Sequence, residues 1–153
     1  MDLTFGKYRG VALEHVLLTN PDYIDWMRSE DDPTPLLRAA RTEARRLVRI
    51  FDRKPFVEKC HSTKCANTAT RGTVHGANIQ LVCWCAGCNP YQLGADDGRL
   101  QIVSRFDDVS GHVAFHCNGR EQDYRRLVRN LAEAKGLMGR VTRESALEFF
   151  GTC

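Results

Sequence analysis

No run of about 18 apolar residues occurs in the 153-residue chain, so no membrane-spanning helix is expected. The opening Met1-Asp2-Leu3-Thr4-Phe5-Gly6-Lys7 has no charged stretch followed by an apolar one, so a secretory signal is not expected either. There is no internal repeat and no low-complexity tract. Enzyme signatures are missing as well: HExxH, GxSxG and GxGxxG do not occur. The HxE…PCxxC pattern of zinc deaminases is also absent. The histidines His75, His112 and His116 are tied to no nucleophile by any motif. Hydrophobic residues at 42% and charged residues at 27% are ordinary globular usage, which argues against a disordered chain. Together these point to a soluble, cytoplasmic protein, with catalysis the weaker reading and no catalytic residue assigned.

Cysteine, by contrast, is abundant. Five of the seven cysteines, Cys60, Cys65, Cys83, Cys85 and Cys88, fall between positions 60 and 88. An odd count without a secretory signal fits metal binding better than a disulfide framework. Cys60-x4-Cys65 and Cys85-x2-Cys88 flank two strand-like segments, Arg71–His75 and Asn78–Trp84, with a turn at Gly76-Ala77. Two cysteine loops joined by a hairpin make a zinc ribbon. Four thiolates close a tetrahedral site and leave no position for water, so the expected cofactor is a structural zinc. His61 adjoins Cys60 and is the alternative ligand. Alternation along the strand turns Cys83 away from Cys85 and into the core. Cys117 and Cys153 read as ordinary thiols. In Cys85-Ala86-Gly87-Cys88, glycine stands where a tight turn would need positive φ.

Charge is uneven. Residues 1–32 carry 3 basic and 7 acidic groups, whereas residues 33–59 carry 8 and 3. Thr34 and Pro35 read as N-cap and first residue of a helix over residues 35–53. On a helical wheel Leu36, Leu37, Ala40, Ala44, Leu47, Val48, Ile50 and Phe51 share one side. Arg38, Arg41, Arg45, Arg46, Arg49 and Arg53 share the other, with Asp52 among them. Six arginines on one face repel unless an anion meets them, and arginine binds phosphate bidentately. The apolar stripe is expected to bury against Tyr124–Leu131 of a C-terminal helix.

The remaining elements are shorter. Leu3-Thr4-Phe5 reads as a strand and residues 12–18 as a helix. A second helix opens at Asn20-Pro21-Asp22 with Tyr23, Trp26 and Met27 as its apolar stripe. Leu100–Phe106 reads as a strand after the turn-rich residues 94–98, and 108–115 as a short helix. Residues 122–135 form a helix stopped by Gly136. Thr142 caps a final helix presenting Ala146, Leu147 and Phe150. Asp31-Asp32, Asp96-Asp97 and Asp107-Asp108 read as turn residues rather than magnesium ligands. Arg71, Trp84 and Tyr91 offer charge and stacking beside the ribbon, and core packing is the plainer role for the aromatics.

The fold class is thus α+β. A small α/β module (1–32) precedes an arginine-rich amphipathic helix (33–54). A zinc-ribbon-like region (55–106) then leads to a C-terminal helical region (107–153) packing on the rest.

Two stretches carry a resemblance. Phe5-Gly6-Lys7-Tyr8-Arg9-Gly10, followed by Asn20-Pro21-Asp22-Tyr23-Ile24-Asp25-Trp26, resembles the exodeoxyribonuclease X-like C-terminal domain over about the first 30 residues. The remainder is similar to an uncharacterised bacterial and phage-associated group with a zinc-ribbon-like middle. The residues carrying this are Ala69-Thr70-Arg71, Trp84-Cys85-x-x-Cys88-Asn89-Pro90-Tyr91 and Leu131–Leu137. Four residues between Cys60 and Cys65, where that group implies two, set Cys60 apart from the other ligands. The resemblance implies association with nucleic-acid processing, without catalysis in the module itself. The expectation is a zinc-stabilised nucleic-acid-binding or accessory protein for DNA or RNA, with Lys7, Arg9 and the six helix arginines in contact. The alternative is an adaptor or inhibitor, phage-encoded in one version, docking an acidic protein surface. A metal-dependent nuclease is the third reading.

Overall fold

The computed structural model describes residues 1–88 and 100–151. Among these residues the chain is α+β, with six helices and one three-stranded antiparallel sheet. The residues segregate into two units, Met1–Arg53 with Leu137–Cys153, and Lys54–Gly136.

The first unit is helical. Its helices are α1 (Leu13–Thr19), α2 (Pro21–Ser29), α3 (Pro35–Arg53) and α6 (Arg143–Gly151). Helix α3 starts where its sequence signals place it: the Leu37 backbone N–H donates to Thr34 Oγ1 at 3.3 Å, with Pro35 in the first turn. Leu37, Ala40, Ala44, Leu47, Val48 and Phe51 are buried, and α1, α2 and α6 supply their cover. Phe51 meets Phe149 with ring centroids 6.0 Å apart. Each buried Leu, Val or Phe among them contributes about 1.5–3 kcal/mol on removal from water, so this stripe sets the position of α3.

Three expectations are corrected in this unit. Residues 3–5 form no strand; a single bridge pairs Asp2 with Ala12. The buried side of α2 is Pro21, Ile24 and Met27, and Trp26 is 43% exposed. In α6, whose Thr142 Oγ1 accepts the Ser145 N–H at 3.1 Å, Phe149 is buried alongside Ala146 and Phe150, while Leu147 stays exposed.

The second unit holds β1 (Arg71–His75), β2 (Asn78–Trp84), β3 (Leu100–Ile102), α4 (Phe106–His116) and α5 (Glu121–Ala134). The strand order is β2-β1-β3. The β1–β2 hairpin has the expected limits, with Arg71 opposite Trp84 and His75 opposite Asn78. Gly76 turns the hairpin at φ 55°. Strand β3 is shorter than its sequence suggests. It stops before Asp108, whose carboxylate accepts the backbone N–H groups of Ser104 and Arg105 at 3.1 and 2.9 Å and so opens α4 instead. Helix α5 packs on β2 and α4, burying Tyr124, Leu127, Val128 and Leu131.

Candidate metal centre and basic face

The four cysteines come together because the hairpin brings its two ends together. The Thr70 N–H donates to the Trp84 carbonyl at 2.9 Å, continuing the β1–β2 pairing one step beyond the strands. Upstream, a narrow loop closes through Ala69 N–H to Glu58 carbonyl and Cys60 N–H to Asn67 carbonyl, both 2.8 Å. That loop presents Cys60 and Cys65. Downstream, a 3-10 turn at Ala86–Cys88 presents Cys85 and Cys88, with the Cys88 N–H donating to the Cys85 carbonyl at 3.3 Å. The His61 N–H donates to the Cys83 carbonyl at 2.8 Å and ties the two loops to each other.

All four Sγ atoms lie within 4.8 Å of one another. The Cys65–Cys85 separation is 3.7 Å. A tetrahedral zinc with Zn–S near 2.3 Å sets its sulfurs about 3.8 Å apart, so the donor set can hold that ion. Cys60 stands in the cluster despite its longer loop, and His61 does not. The His61 ring instead packs edge-on against Trp84, centroids 5.3 Å apart.

The clustered thiols bias one another's ionisation. Burial opposes ionisation of Cys85, but the Cys88 backbone, the Cys88 and Cys65 thiols and the Gly87 backbone outweigh it. They draw Cys85 down to about 6. The same proximity then works against the neighbours. Interaction with Cys85, then Cys65, together with burial, pushes Cys88 up to about 12. At Cys65 the Asn67 backbone favours the thiolate, but burial, Cys85 and Cys60 prevail and raise it. The raised Cys65 and Cys88 oppose ionisation beside Cys85, and a bound cation would favour their thiolate forms.

Cys83 and Cys117 lie outside this cluster. Both are buried. Burial, with Glu58 adding to it, pushes Cys83 up to about 12, and burial likewise raises Cys117. Gly87 departs from expectation. Its φ is not among the positive ones, and a Cβ there would meet nothing within 4 Å. A 3-10 turn needs no left-handed residue. Trp84 is half-buried and donates its Nε1 hydrogen to Thr73 Oγ1 at 2.9 Å. Arg71 is half-buried on β1. Tyr91, Asp96-Asp97, the turn at 94–98 and Cys153 lie outside the described residues.

The basic residues divide by what they already hold. Arg41 donates to the backbone carbonyls of Met27 and Glu30, closing the end of α2. Arg38 reaches the Pro33 carbonyl at 3.4 Å. Arg46 makes a two-pronged ion pair with Glu43 at 2.8 and 2.7 Å, and Arg46 holds the Glu43 carboxyl below its ordinary value. The sequence reading overlooked Glu43 because it falls at the edge of the apolar stripe; its three-residue spacing from Arg46 was the available signal. Arg45, Arg49 and Arg53 are exposed, and no hydrogen bond or ion pair joins them to the described residues. They stand four residues apart, one above the next, about 6 Å per step along the axis. Lys7 and Arg9 are exposed on the loop at Gly6–Gly10. The Lys7 Nζ lies 5.3 Å from the Tyr8 ring centre. Tyr8 meets Tyr23, and Tyr23 meets Trp26, at centroid distances of 4.8 and 5.2 Å.

No helix among the described residues is long and apolar enough to cross a membrane. No curated protein and no solved structure matches the chain. The family model described as exodeoxyribonuclease X-like C-terminal matches residues 3–31. That span covers the Gly6–Gly10 loop, α1 and α2, and nothing identifies the remainder. The chain therefore combines an exodeoxyribonuclease X-like C-terminal region with a four-cysteine cluster able to hold a metal ion.

Proposed function

We propose that this chain is a zinc-stabilised accessory protein that binds nucleic acid and performs no catalysis itself. Cys60, Cys65, Cys85 and Cys88 hold the zinc. Its chemistry is structural, because four thiolates close the coordination shell and quench Lewis acidity. Arg45, Arg49 and Arg53 track phosphates, with Arg38 further along the same helix and Lys7 and Arg9 contributing from the Gly6–Gly10 loop of the same unit.

The observation that carries this reading is the unpaired arginine ladder. Like charges four residues apart on a helix destabilise it by about 0.2–0.5 kcal/mol per pair. A solvated face ordinarily relieves that with intervening acids, as Glu43 does for Arg46. On the ladder's face Asp52 is the one intervening acid, no ion pair joins Arg45, Arg49 or Arg53 to the described residues, and a row of phosphates supplies the missing relief. The name of the matching family, which belongs to part of a DNA-degrading enzyme, agrees with that chemistry. The Asp108 carboxylate is engaged in opening α4, which favours binding over metal-dependent nuclease chemistry at that acidic pair.

Fluorescence anisotropy with labelled single- and double-stranded DNA and RNA tests the reading. Each neutralised phosphate contributes a slope of about −0.9 on duplex DNA and about −0.7 on a single strand in log K against log salt. Replacing Arg45, Arg49 and Arg53 together by Gln should therefore flatten the slope by about 2.7 or about 2.1 units. Zinc-loaded, folded wild type that binds no nucleic acid at low salt would overturn the proposal. The ladder would then be a docking surface for an acidic protein.

A further inference from the structure

Helix α4 carries two histidines one turn apart, His112 and His116, on the same face. Their ring centroids are 4.7 Å apart and their planes are inclined by 32°. His112 is only 4% exposed. Neither its Nδ1 nor its Nε2 has a hydrogen-bond partner, and the same holds for His116 Nε2. These three nitrogens are sealed from bulk water. Buried polar side-chain atoms are ordinarily satisfied, and three orphans on two touching rings are an unusual concentration. The Gly76 backbone at the β1–β2 turn lies near His112 but falls short of a hydrogen bond in geometry. Burial, and then His116, lower the pKa of His112.

We propose that His112 and His116 are the protein half of a second metal site, which takes a divalent transition cation such as Zn2+, Co2+ or Ni2+. Histidines four residues apart on one helix face converge on one ion, as in helical zinc sites. Imidazole suits these borderline cations. A bridging water would need two to four polar partners, whereas a cation is satisfied by the two lone pairs together with exogenous ligands. His116 is the half-buried member of the pair, so a cation and its exogenous ligands would enter by displacing its ring, whose Nε2 is otherwise covered. This site differs in kind from the cysteine cluster: two neutral ligands leave positions free for water or a small anion. It does not depend on the nucleic-acid reading.

The test uses the full-length, zinc-loaded chain after desalting. Co2+ is titrated in, with bound metal counted by equilibrium dialysis and elemental analysis. The histidine ring nitrogens are followed by NMR. The expected result is one further equivalent beyond the cysteine-bound ion, with paramagnetic shifts at the His112 and His116 rings. His112→Gln and His116→Ala should each weaken that equivalent by at least about tenfold, while His75→Ala leaves it unchanged. Should His112→Gln fail to fold, His116→Ala, at the half-exposed position, carries the test alone. No second equivalent, or one that survives His116→Ala with unshifted ring resonances, overturns the proposal.

Discussion

Removing the proposed metal from the cysteine cluster is the most informative perturbation, because the loop that carries Cys60 and Cys65 has almost no core. Between residues 57 and 68, Cys60 is the buried residue. Ordering the nine residues from 60 to 68 costs about 9–18 kcal/mol of backbone entropy. The backbone hydrogen bonds of Cys60, His61 and Cys65 return about 1.5–4.5 kcal/mol in total. The shortfall is of the order of 10 kcal/mol, and structural zinc sites supply about 10–16 kcal/mol. Chelation, or Cys85→Ser, should therefore melt the two cysteine loops while α3 and α5, each buried through its own apolar stripe, persist. Hydrogen exchange followed residue by residue is the assay. The amides of Cys60, His61 and Cys65 should lose protection, and those of Leu47 and Leu131 should keep it. If a verified metal-free sample protects the Cys60 and Cys65 amides as well as the loaded one, the loop is held by its own packing and the reasoning fails.

Three further outcomes follow from particular contacts. Glu43→Gln removes the carboxylate paired with Arg46, so nucleic-acid affinity should rise and the salt slope should steepen by about 0.7–0.9; an unchanged slope in anisotropy would show that Arg46 does not face the ligand. Gly6 sits at φ 72°, and a Cβ there would lie 2.6 Å from Tyr23 Oη. Gly6→Ala should thus cost about 1–2 kcal/mol from backbone strain plus the clash. Adding Tyr23→Phe should recover the clash alone, and a thermal melt of Gly6→Ala equal to wild type would refute this. The Arg143 guanidinium, hydrogen-bonded to Asp2 at 2.8 Å, holds the Asp2 carboxyl below its ordinary value. A depressed carboxylate lends stability that is present above its unfolded pKa and is lost as pH falls through the folded one. Acid melts of Asp2→Asn should lack that part of the decline below about pH 4, and identical acid limbs would show the pair contributes nothing.

Much of the local structure was legible in the residues. The hairpin limits followed from two strand-like runs around the Gly76-Ala77 turn, and α3 followed from Thr34-Pro35 and an eight-residue apolar stripe. The cysteine spacing named the four clustered residues, because a ribbon's geometry is set by short loops and one hairpin. These features depend on neighbours within a few positions, and periodicity and turn chemistry encode such neighbours directly. Other features were decided by residues far away in the chain. Trp26 is exposed because packing against α1 and α3 turns Ile24 and Met27, not Trp26, inward. Leu147 gives way to Phe149, whose ring meets Phe51 from almost a hundred positions away. Cys60, rather than His61, joins the cluster because the His61 ring is drawn to Trp84 across the hairpin. Three of the six helix arginines are free and three are engaged, a division made by the carbonyls at the end of α2, by Pro33 and by Glu43. The stripe of α3 finds its cover in helices drawn from both ends of the chain, and that of α5 finds its cover in β2 and α4. A helical wheel gives the direction of an apolar face but not its partner, because burial is a pairwise quantity settled only when distant segments meet.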